Sequence, residues 1–225
     1  MGKLLVIEGL DGSGKATQAK RLAEVLAQQG RRVRLVSFPD YESDSSRLVQ
    51  MYLAGAFGKK PEDVNAYAAS AFYAVDRYAS WKTKWQGFYE AGGVVLADRY
   101  TTSNAVHQCS KLPEAEWPAF VAWLEDFEYG KMGIPRPDLV LCLDMEPQVS
   151  QQLLVQRYGG ENKKDIHEQD LGYLQRSRKA AHWCARHLGW KLVACSPNGR
   201  PRGVEDITAQ LEDAVRTAGI FEETP

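Results

Sequence analysis

Five short apolar runs alternate along the chain with longer amphipathic segments, and this alternation restricts the fold more than any other feature. The runs occupy residues 4–8, 33–38, 93–98, 138–144 and 190–195, and we predict that each is a strand buried on both faces. Strands that are separated by helical segments form parallel βαβ units, in which helices cover both faces of the sheet. The sequence therefore predicts an α/β fold with a five-stranded parallel sheet flanked by helices.

The segments between the runs carry helical spacing. Apolar residues recur on one helical face over residues 19–26, and Gly30 follows as a stop signal. A longer helix is predicted over about 62–90. Its first residues, Glu62 and Asp63, are acidic and follow Pro61, and a glycine pair at 92–93 follows its end. No repeat and no Pro-, Gly- or Ser-rich linker divides the chain, so we expect one domain over 1–225. The irregular polar stretch 157–165 is too short to be a domain and suits a mobile lid.

Charge, hydropathy and cysteine usage exclude several classes of protein. A net charge of −1 and a pI near 6.4 argue against broad electrostatic binding to nucleic acid. No apolar run approaches the length of a membrane span, and the first residues lack the apolar core of a signal peptide. The four cysteines are widely spaced and form no C-x-x-C pair, which is typical of thiols in a reducing compartment. We therefore expect a cytoplasmic protein without nucleic-acid or membrane partners.

The stretch Gly9–Lys15, GLDGSGK, has the glycine spacing of a phosphate-binding loop. It lies directly between the first predicted strand and the first predicted helix. In such a loop the backbone N–H groups and the helix N-terminus surround the phosphates, and Lys15 meets the outer ones. We predict that a nucleoside triphosphate contacts the loop and the start of the helix, at Gly9, Leu10, Asp11, Gly12, Ser13, Gly14, Lys15, Ala16 and Thr17.

Ala16 stands where the loop pattern requires a Ser or Thr hydroxyl for a metal ion. The backbone N–H groups do not depend on that hydroxyl, so we expect phosphate binding to survive. Mg²⁺ keeps several waters and needs only one or two carboxylates beside phosphate oxygens, so a water can replace the hydroxyl. Asp11 and Asp98 are the candidate carboxylates, whereas Thr17 lies ~100° further around the helix and is a poor substitute. These residues leave two alternatives: an enzyme with an altered metal site, or a binding protein without catalysis.

Residues 162–165 spell N-K-K-D, which is similar to the guanine-binding motif of GTPases. In GTPases that motif ends an apolar strand, but here it follows two glycines in the polar stretch. Outside the glycine loop itself, no D-x-x-G follows a predicted strand either. We therefore reject a GTPase.

Four further stretches, taken in chain order with the glycine loop, resemble the thymidylate kinases. They are SFPDY (37–41), AFYAVDRY (71–78), LADRYTTSNAVHQ (96–108) and KKDIHE (163–168). The resemblance extends through most of the chain. It implies a P-loop kinase of the nucleoside-monophosphate class with a short lid, Mg²⁺-dependent transfer of the ATP γ-phosphoryl group to dTMP, and a homodimer.

Phosphoryl transfer between two nucleotides brings two polyanions together, so the site must neutralise and align them. Arg99 follows the third predicted strand, where open α/β sheets bind ligands, and its planar fork suits an acceptor phosphate. Relatives place a further cation either in the glycine loop or in the lid, and the loop here has none. The predicted catalytic residues are therefore Asp11, Lys15, Asp98 and Arg99, with the lid cations Arg157, Lys163 and Lys164.

The resemblance also implies contacts to the acceptor base. Phe72 offers a flat apolar face and Arg77 a donor for a base carbonyl. Helical spacing puts Phe72 and Asp76 on one face, with Arg77 to the side; a place for Phe72 in the core is the alternative. Asn104 and Gln108 match the family's remaining base contacts.

The other implied contacts concern the walls, the sugar and the ATP side. Phe38 and Pro39 would wall the acceptor site, with Tyr41 near its phosphate, although many relatives carry a cation in this loop. His107 stands where a Tyr often crowds the sugar's 2′ position, with an ordinary helix histidine as the alternative. The spacing of Asp165 and Glu168 favours a capping box at a helix start. The resemblance adds a nucleotide contact for Asp165 and a metal-side role for Glu168, and it implies that Ser196 and Pro197 hold the adenine.

Two alternative functions remain open from the sequence. One is another nucleoside-monophosphate kinase or a deoxynucleoside kinase, although a free nucleoside acceptor has less use for Arg99. The other is a non-catalytic nucleotide-binding regulatory protein, in which Ala16 marks the lost activity.

Overall fold

A five-stranded parallel sheet lies at the centre of the molecule, for which a computed structural model describes residues 1–157 and 171–221. Its strands lie in the order β2-β3-β1-β4-β5, and every neighbouring pair is parallel. All five predicted strands are confirmed. They are β1 (Lys3–Gly9), β2 (Val33–Ser37), β3 (Val94–Asp98), β4 (Leu139–Asp144) and β5 (Lys191–Ala194).

Helices connect the strands and cover both faces of the sheet. The α-helices are α1 (Lys15–Gln28), α2 (Arg47–Leu53), α3 (Ala66–Ser80), α4 (Gln86–Glu90), α5 (Thr101–Cys109), α6 (Trp117–Glu125), α7 (Pro147–Arg157), α8 (Leu171–Leu188) and α9 (Val204–Thr217). Two π-helical segments occupy Trp81–Trp85 and Asp126–Lys131. Short 3-10 turns occupy Asp44–Ser46, Pro61–Asp63, Glu114–Glu116 and Pro197–Gly199.

Two apolar clusters, one on each face of the sheet, form most of the core, and a small third cluster lies around Tyr52. Because side chains alternate along a strand, β1 contributes Leu4 and Val6 to one cluster and Leu5 and Ile7 to the other. The first cluster includes residues of α5, α6 and α8, and the second includes residues of α1 and α9. This double burial explains why the central strands are continuous apolar runs.

The prediction that all five strands are buried on both faces is wrong for the two outer ones. Leu35 in β2 is 46% exposed and Leu192 in β5 is 39% exposed. Both strands lie at an edge of the sheet, where helices cover less of each face. The apolar runs alone do not reveal which strands lie outermost.

The single helix predicted over 62–90 is interrupted. Pro61–Asp63 forms a 3-10 turn, and α3 begins only at Ala66, where the Asn65 Oδ1 accepts a hydrogen bond from the Ala68 N–H at 2.8 Å. The π-helical segment at Trp81–Trp85 then joins α3 to α4. The acidic residues after the proline therefore mark the turn rather than the helix.

The four cysteines are buried, and none of them forms a disulfide. Burial raises the pKa of Cys195 to about 12, so that thiol is protonated at neutral pH. Across the part of the chain that the structure describes, no helix is both long enough and apolar enough to cross a membrane.

Three strands end together at the edge of the sheet that carries the candidate site. In the parallel ladders Asp98 at the end of β3 lies beside Ile7 of β1 and Ser37 of β2. The loops that follow β1, β2 and β3 therefore start at neighbouring points, which is where open α/β sheets bind ligands.

Candidate active site

The glycine loop adopts a backbone that only glycines tolerate well. Gly12 has φ +76°, and a Cβ there would lie 2.7 Å from the Ser150 carbonyl oxygen. Gly14 has φ +88° and is the N-cap of α1. Of the described side chains none caps this helix end, so its first N–H groups are available to an anion.

Lys15, the first residue of α1, points its ammonium back into the loop. Its Nζ donates to the Leu10 carbonyl at 2.9 Å and lies 3.9 Å from the Asp11 carboxylate. Burial lowers the pKa of Lys15, and the neighbouring Arg99 lowers it further. The carboxylates of Asp11, Asp98 and Glu8 oppose this lowering, and a buried cation of this kind attracts an incoming phosphate with little screening by water.

A cavity opens in front of this loop, and we call it the glycine-loop cavity. Ala16 and Thr17 both line it, as do Asp98 from β3 and Leu154 from α7. Thr17 therefore faces the same cavity as Ala16, although the ~100° rotation between neighbouring helical residues predicted that Thr17 faces elsewhere. The remaining lining residues are Asp11, Gly12, Gly14, Lys15, Ser37, Phe38, Pro39, Tyr41 and Arg99.

Asp98 has the properties of a ligand for a hydrated metal. Its Oδ1 is buried and has no hydrogen-bond partner among the residues described. Burial raises the pKa of Asp98, although the nearby cations Lys15 and Arg99 oppose that shift. Residues 1–157 and 171–221 contain no cluster of three metal-binding side chains, but Mg²⁺ bound to phosphates needs only one or two carboxylates. The residues present therefore fit Mg²⁺ held mainly by the phosphates.

Arg99 lies at the centre of the site in a strained backbone conformation. Its φ of +67° falls in the left-handed region, which non-glycine residues rarely occupy outside functional positions. The guanidinium lies 2.5 Å from Asp11, 3.1 Å from the Ser103 hydroxyl and 3.5 Å from Glu8. Burial alone would lower the pKa of Arg99, but the Asp11 and Glu8 carboxylates outweigh it and raise that pKa. Arg99 is therefore always charged.

His107 contacts the same Arg99 nitrogen as Ser103 and Glu8. Its Nε2 lies 3.2 Å from an Arg99 Nη1, and because arginine only donates, that ring nitrogen accepts. The Nδ1 then carries the proton and faces the Tyr173 hydroxyl at 3.3 Å, which donates to the His107 carbonyl at 3.1 Å. Tyr173 belongs to α8, so this helix is linked to Arg99 through His107.

A second cavity, which we call the aromatic cavity, adjoins the glycine-loop cavity. The two share five lining residues: Asp11, Phe38, Pro39, Tyr41 and Arg99. A cis peptide bond joins Phe38 and Pro39. The other residues that line the aromatic cavity are Leu53, Tyr73, Arg77, Tyr100, Ser103, Asn104, His107 and Gln108.

The lining of the aromatic cavity includes a buried amide that the described residues leave without a partner. Gln108 is 1% exposed, and neither its Oε1 nor its Nε2 has a hydrogen-bond partner among the described residues. An unpaired buried amide costs free energy, on the order of 1–3 kcal/mol, unless a ligand or water satisfies it. Gln108 is therefore a strong candidate for a ligand contact.

Phe72, predicted as the flat face for a base, is not among the residues that line the aromatic cavity. Its ring packs 6.3 Å from that of Tyr52 and 5.5 Å from that of Phe57, in a small separate cluster. Tyr73 lines the cavity instead. Tyr73 lies four residues before Arg77, and this spacing puts both on one helical face. The sequence therefore contained the signal that the choice of Phe72 overlooked.

Two buried carboxylates behind the cavity walls were not predicted. Glu8 is fully buried and accepts hydrogen bonds from Thr102 at 2.6 Å and Ser103 at 2.8 Å. Glu128 is also fully buried and forms a two-point ion pair with Arg77, with both N–O distances at 2.6 Å. Neither residue belongs to a motif with a known spacing, so no sequence pattern indicates them.

The buried Asp76 orients the loop that follows β2. Its carboxylate accepts from the Asp40 backbone N–H at 2.8 Å and from the Ser45 hydroxyl at 2.6 Å. Lys84 binds Asp40 from outside. Asp76, which precedes Arg77 in the predicted motif, therefore supports the cavity wall that the loop after β2 forms.

The remaining predicted site residues lie elsewhere. Ser196 and Pro197 follow β5 and line neither cavity; the Ser196 hydroxyl accepts from the Glu146 N–H at 2.7 Å. Arg157 is the last residue of α7. Lys163, Lys164, Asp165 and Glu168 lie outside the described residues.

A parallel sheet with a glycine loop after its central strand, a buried lysine and an adjoining second cavity defines a nucleotide-binding protein of the P-loop class. The thymidylate kinase family model matches residues 7–199. A thymidylate kinase of Mycobacterium tuberculosis is 32% identical over 163 residues, which cover 72% of this chain and 73% of the relative. The chain therefore belongs to the thymidylate kinase family.

Similarity to other members extends over nearly the whole chain. The thymidylate kinase of Schizosaccharomyces pombe is 29% identical over 226 residues, covering 98% of this chain and 95% of the relative. The structure of a thymidylate kinase from Candida albicans superimposes with a TM-score of 0.66 at 19% identity, covering 96% of this chain and 92% of that one. This likeness confirms the predicted fold.

Proposed function

We propose that the chain transfers the γ-phosphoryl group of ATP to dTMP, giving dTDP and ADP, as one kinase domain over residues 1–225. The single observation that carries the proposal is the junction of two cavities, one beside a phosphate-binding loop and one lined by aromatic and polar residues, which share Arg99 and Asp11. Such a junction suits a donor and an acceptor nucleotide whose phosphates meet. The names of the relatives support dTMP as the acceptor.

Each side of the junction has a defined task in this proposal. The N–H groups of the glycine loop and Lys15 bind the ATP phosphates, and the Arg99 fork binds the acceptor phosphate. Asp11 pairs with the same guanidinium, so in this proposal the acceptor phosphate competes with the Asp11 carboxylate for Arg99. Catalysis then rests on alignment and on neutralisation of the two polyanions.

Magnesium belongs to the proposal as the metal that neutralises the ATP phosphates. Asp98 would hold the ion, and a water would take the place of the hydroxyl that position 16 lacks. Asp11 would be a second ligand when its carboxylate is not paired with Arg99. Glu168 is proposed as a further metal-side residue on the resemblance alone. Arg157, Lys163 and Lys164 are proposed in the same way as cations that approach the γ-phosphate, with Asp165 on the nucleotide and Ser196 and Pro197 at the adenine.

Replacing Ala16 by serine is expected to keep or raise kcat and to lower the magnesium concentration for half-maximal rate. The methyl group of Ala16 is exposed toward the glycine-loop cavity, so a hydroxyl fits there and can replace a water on the metal. Titrating magnesium at fixed ATP measures the shift, and Ala27→Ser near the end of the same helix is the control. A folded, inactive Ala16→Ser protein would show that the site is shaped around the methyl group.

The reaction itself is tested by ADP release with Mg-ATP and a series of acceptors: dTMP, dUMP, UMP, AMP and thymidine. The proposal requires turnover to be highest with dTMP. Turnover with thymidine alone would identify a nucleoside kinase. Binding of ATP without turnover on any acceptor would identify a non-catalytic nucleotide-binding protein.

A homodimer is also part of the proposal, and α3 supplies its surface. Tyr67, Val75 and Tyr78 lie along one side of this helix and are 44%, 47% and 40% exposed. Apolar and aromatic side chains in such a row are typical of the centre of an interface, and a second copy of the chain can cover its own row by two-fold symmetry.

Val75→Glu is expected to convert the dimer to a monomer, because a charge at the centre of the row would be buried without a partner. Light scattering behind a sizing column measures the mass, and Val204→Glu, at an exposed valine of α9, is the control. A wild-type protein that is monomeric at micromolar concentration would contradict the proposal. We also propose a cytoplasmic location, which the four unpaired cysteines support.

A further inference from the structure

Glu128 has four hydrogen-bond donors around its carboxylate, and two of the donor residues line the aromatic cavity. Arg77 donates through Nε and Nη2, both at 2.6 Å, and the Asn104 Nδ2 donates at 3.0 Å. The fourth donor is the Thr101 hydroxyl at 2.9 Å. Glu128 itself is fully buried in the π-helical segment and does not line the cavity. It therefore acts on a ligand only through Arg77 and Asn104.

The carboxylate fixes which way the Asn104 amide faces. A carboxylate only accepts hydrogen bonds, so the Nδ2 must face Glu128. The second N–H of the same nitrogen donates to the Ser70 carbonyl at 3.1 Å. Both amide donors are thus used inside the protein, and the Oδ1 acceptor is the atom that Asn104 can offer to the cavity.

Glu128 uses only some of the N–H donors of Arg77. Of its five N–H groups two bind Glu128 and one lies 3.4 Å from the Tyr100 carbonyl. The rest remain for a ligand in the cavity that Arg77 lines. Arg77 and Asn104 bind the same Glu128 oxygen, so the cavity lining offers an acceptor from Asn104 beside a donor from Arg77.

This pattern matches one class of pyrimidine. Thymine and uracil carry a ring N–H next to the C4 carbonyl, which pairs with an acceptor beside a donor. Cytosine carries the reverse, a ring nitrogen acceptor next to an exocyclic amino donor. Gln108 cannot discriminate between them, because its free amide can turn to suit either edge.

We propose that Glu128 is a positioning residue that selects pyrimidine bases with a carbonyl at C4 over those with an amino group. This inference rests on the proposed function, since it assumes that the acceptor base occupies the aromatic cavity. Glu128 selects by locking the Asn104 amide in one orientation and holding Arg77 beside it. Without the carboxylate only the Ser70 carbonyl still holds the Nδ2, so the Asn104 amide can turn and present its Nδ2 to the cytosine ring nitrogen at a lower free-energy cost.

The test is calorimetric titration of dTMP and of dCMP into the wild-type protein and into Glu128→Gln, which keeps the shape but removes the charge. The wild type is expected to bind dTMP at least ~30-fold more tightly than dCMP. Glu128→Gln is expected to reduce that ratio by ~10-fold or more, with ATP affinity unchanged within ~2-fold. Glu125→Gln is the matched control, because Glu125 pairs with Arg136 at 3.0 Å and is 34% exposed.

Two results would overturn the inference: equal wild-type affinity for dTMP and dCMP, or a folded Glu128→Gln protein in which both affinities fall together and the ratio stays the same. The second result would assign Glu128 a purely structural role. If Glu128→Gln does not fold, Thr101→Val decides, because it removes one donor without isolating a buried charge. We expect its dTMP:dCMP ratio to fall by ~3-fold, and an unchanged ratio would equally overturn the inference.

Binding separates this inference from the proposed kinase activity. A protein that prefers dTMP over dCMP through Glu128 but transfers no phosphate would refute the kinase and leave the inference intact. A protein that makes dTDP but keeps its base preference in Glu128→Gln would refute the inference alone.

Discussion

Replacing Arg99 by alanine is expected to reduce kcat/KM for dTMP by ~30-fold or more, a loss of at least ~2 kcal/mol of transition-state stabilisation. The Arg99 guanidinium lines both cavities and can bind an acceptor phosphate with two parallel hydrogen bonds. Steady-state kinetics with dTMP varied at saturating ATP measures the effect. A kcat/KM near the wild-type value would contradict the assignment of Arg99.

Two further variants separate charge from geometry at Arg99. Arg99→Lys keeps the charge but loses the fork, so we expect an intermediate kcat/KM. Arg21→Ala removes an exposed arginine of α1 that pairs with Glu24 and Glu205 and is expected to change nothing. Because Arg99 also neutralises the buried Glu8, each variant is checked for folding by circular dichroism before its kinetics are interpreted.

Replacing Lys15 by methionine is expected to lower kcat by ~100-fold to ~1000-fold, comparable to the loss of one preorganised donor in other enzymes. Lys15 is buried and is the lysine of the glycine loop, so its charge acts on the ATP phosphates with little screening by water. Single-turnover measurements with excess enzyme separate the chemical step from ATP binding.

Lys20→Met is the matched control for Lys15→Met. Lys20 lies on the same helix but is exposed, so its removal is expected to leave kcat unchanged. A Lys15→Met protein that binds ATP and retains wild-type kcat would show that the loop backbone alone suffices for catalysis.

The strands and the glycine loop were predictable because each is specified locally. An apolar run between helical segments indicates a buried parallel strand, and the loop lies where the first strand meets the first helix. The order of the strands is not specified locally, so the exposure of Leu35 and Leu192 at the sheet edges could not be predicted. Similarly, nothing before Trp81 indicates the π-helical segment that interrupts the long helix.

The candidate site was predictable only where a residue belongs to a motif. Arg77, Asn104, His107 and Gln108 do, and they line one cavity. Glu128 does not, because its contact with Arg77 spans 51 residues and depends on how the π-helical segment packs. A buried carboxylate of this kind becomes visible only when the tertiary structure brings its donors together.

The most direct test of the central claim follows the label of γ-³²P-ATP in the presence of dTMP and magnesium. If the two cavities bind donor and acceptor as proposed, the label appears in dTDP, and Arg99→Ala slows its appearance. Label that remains in ATP, or that is released only as inorganic phosphate, would contradict the account.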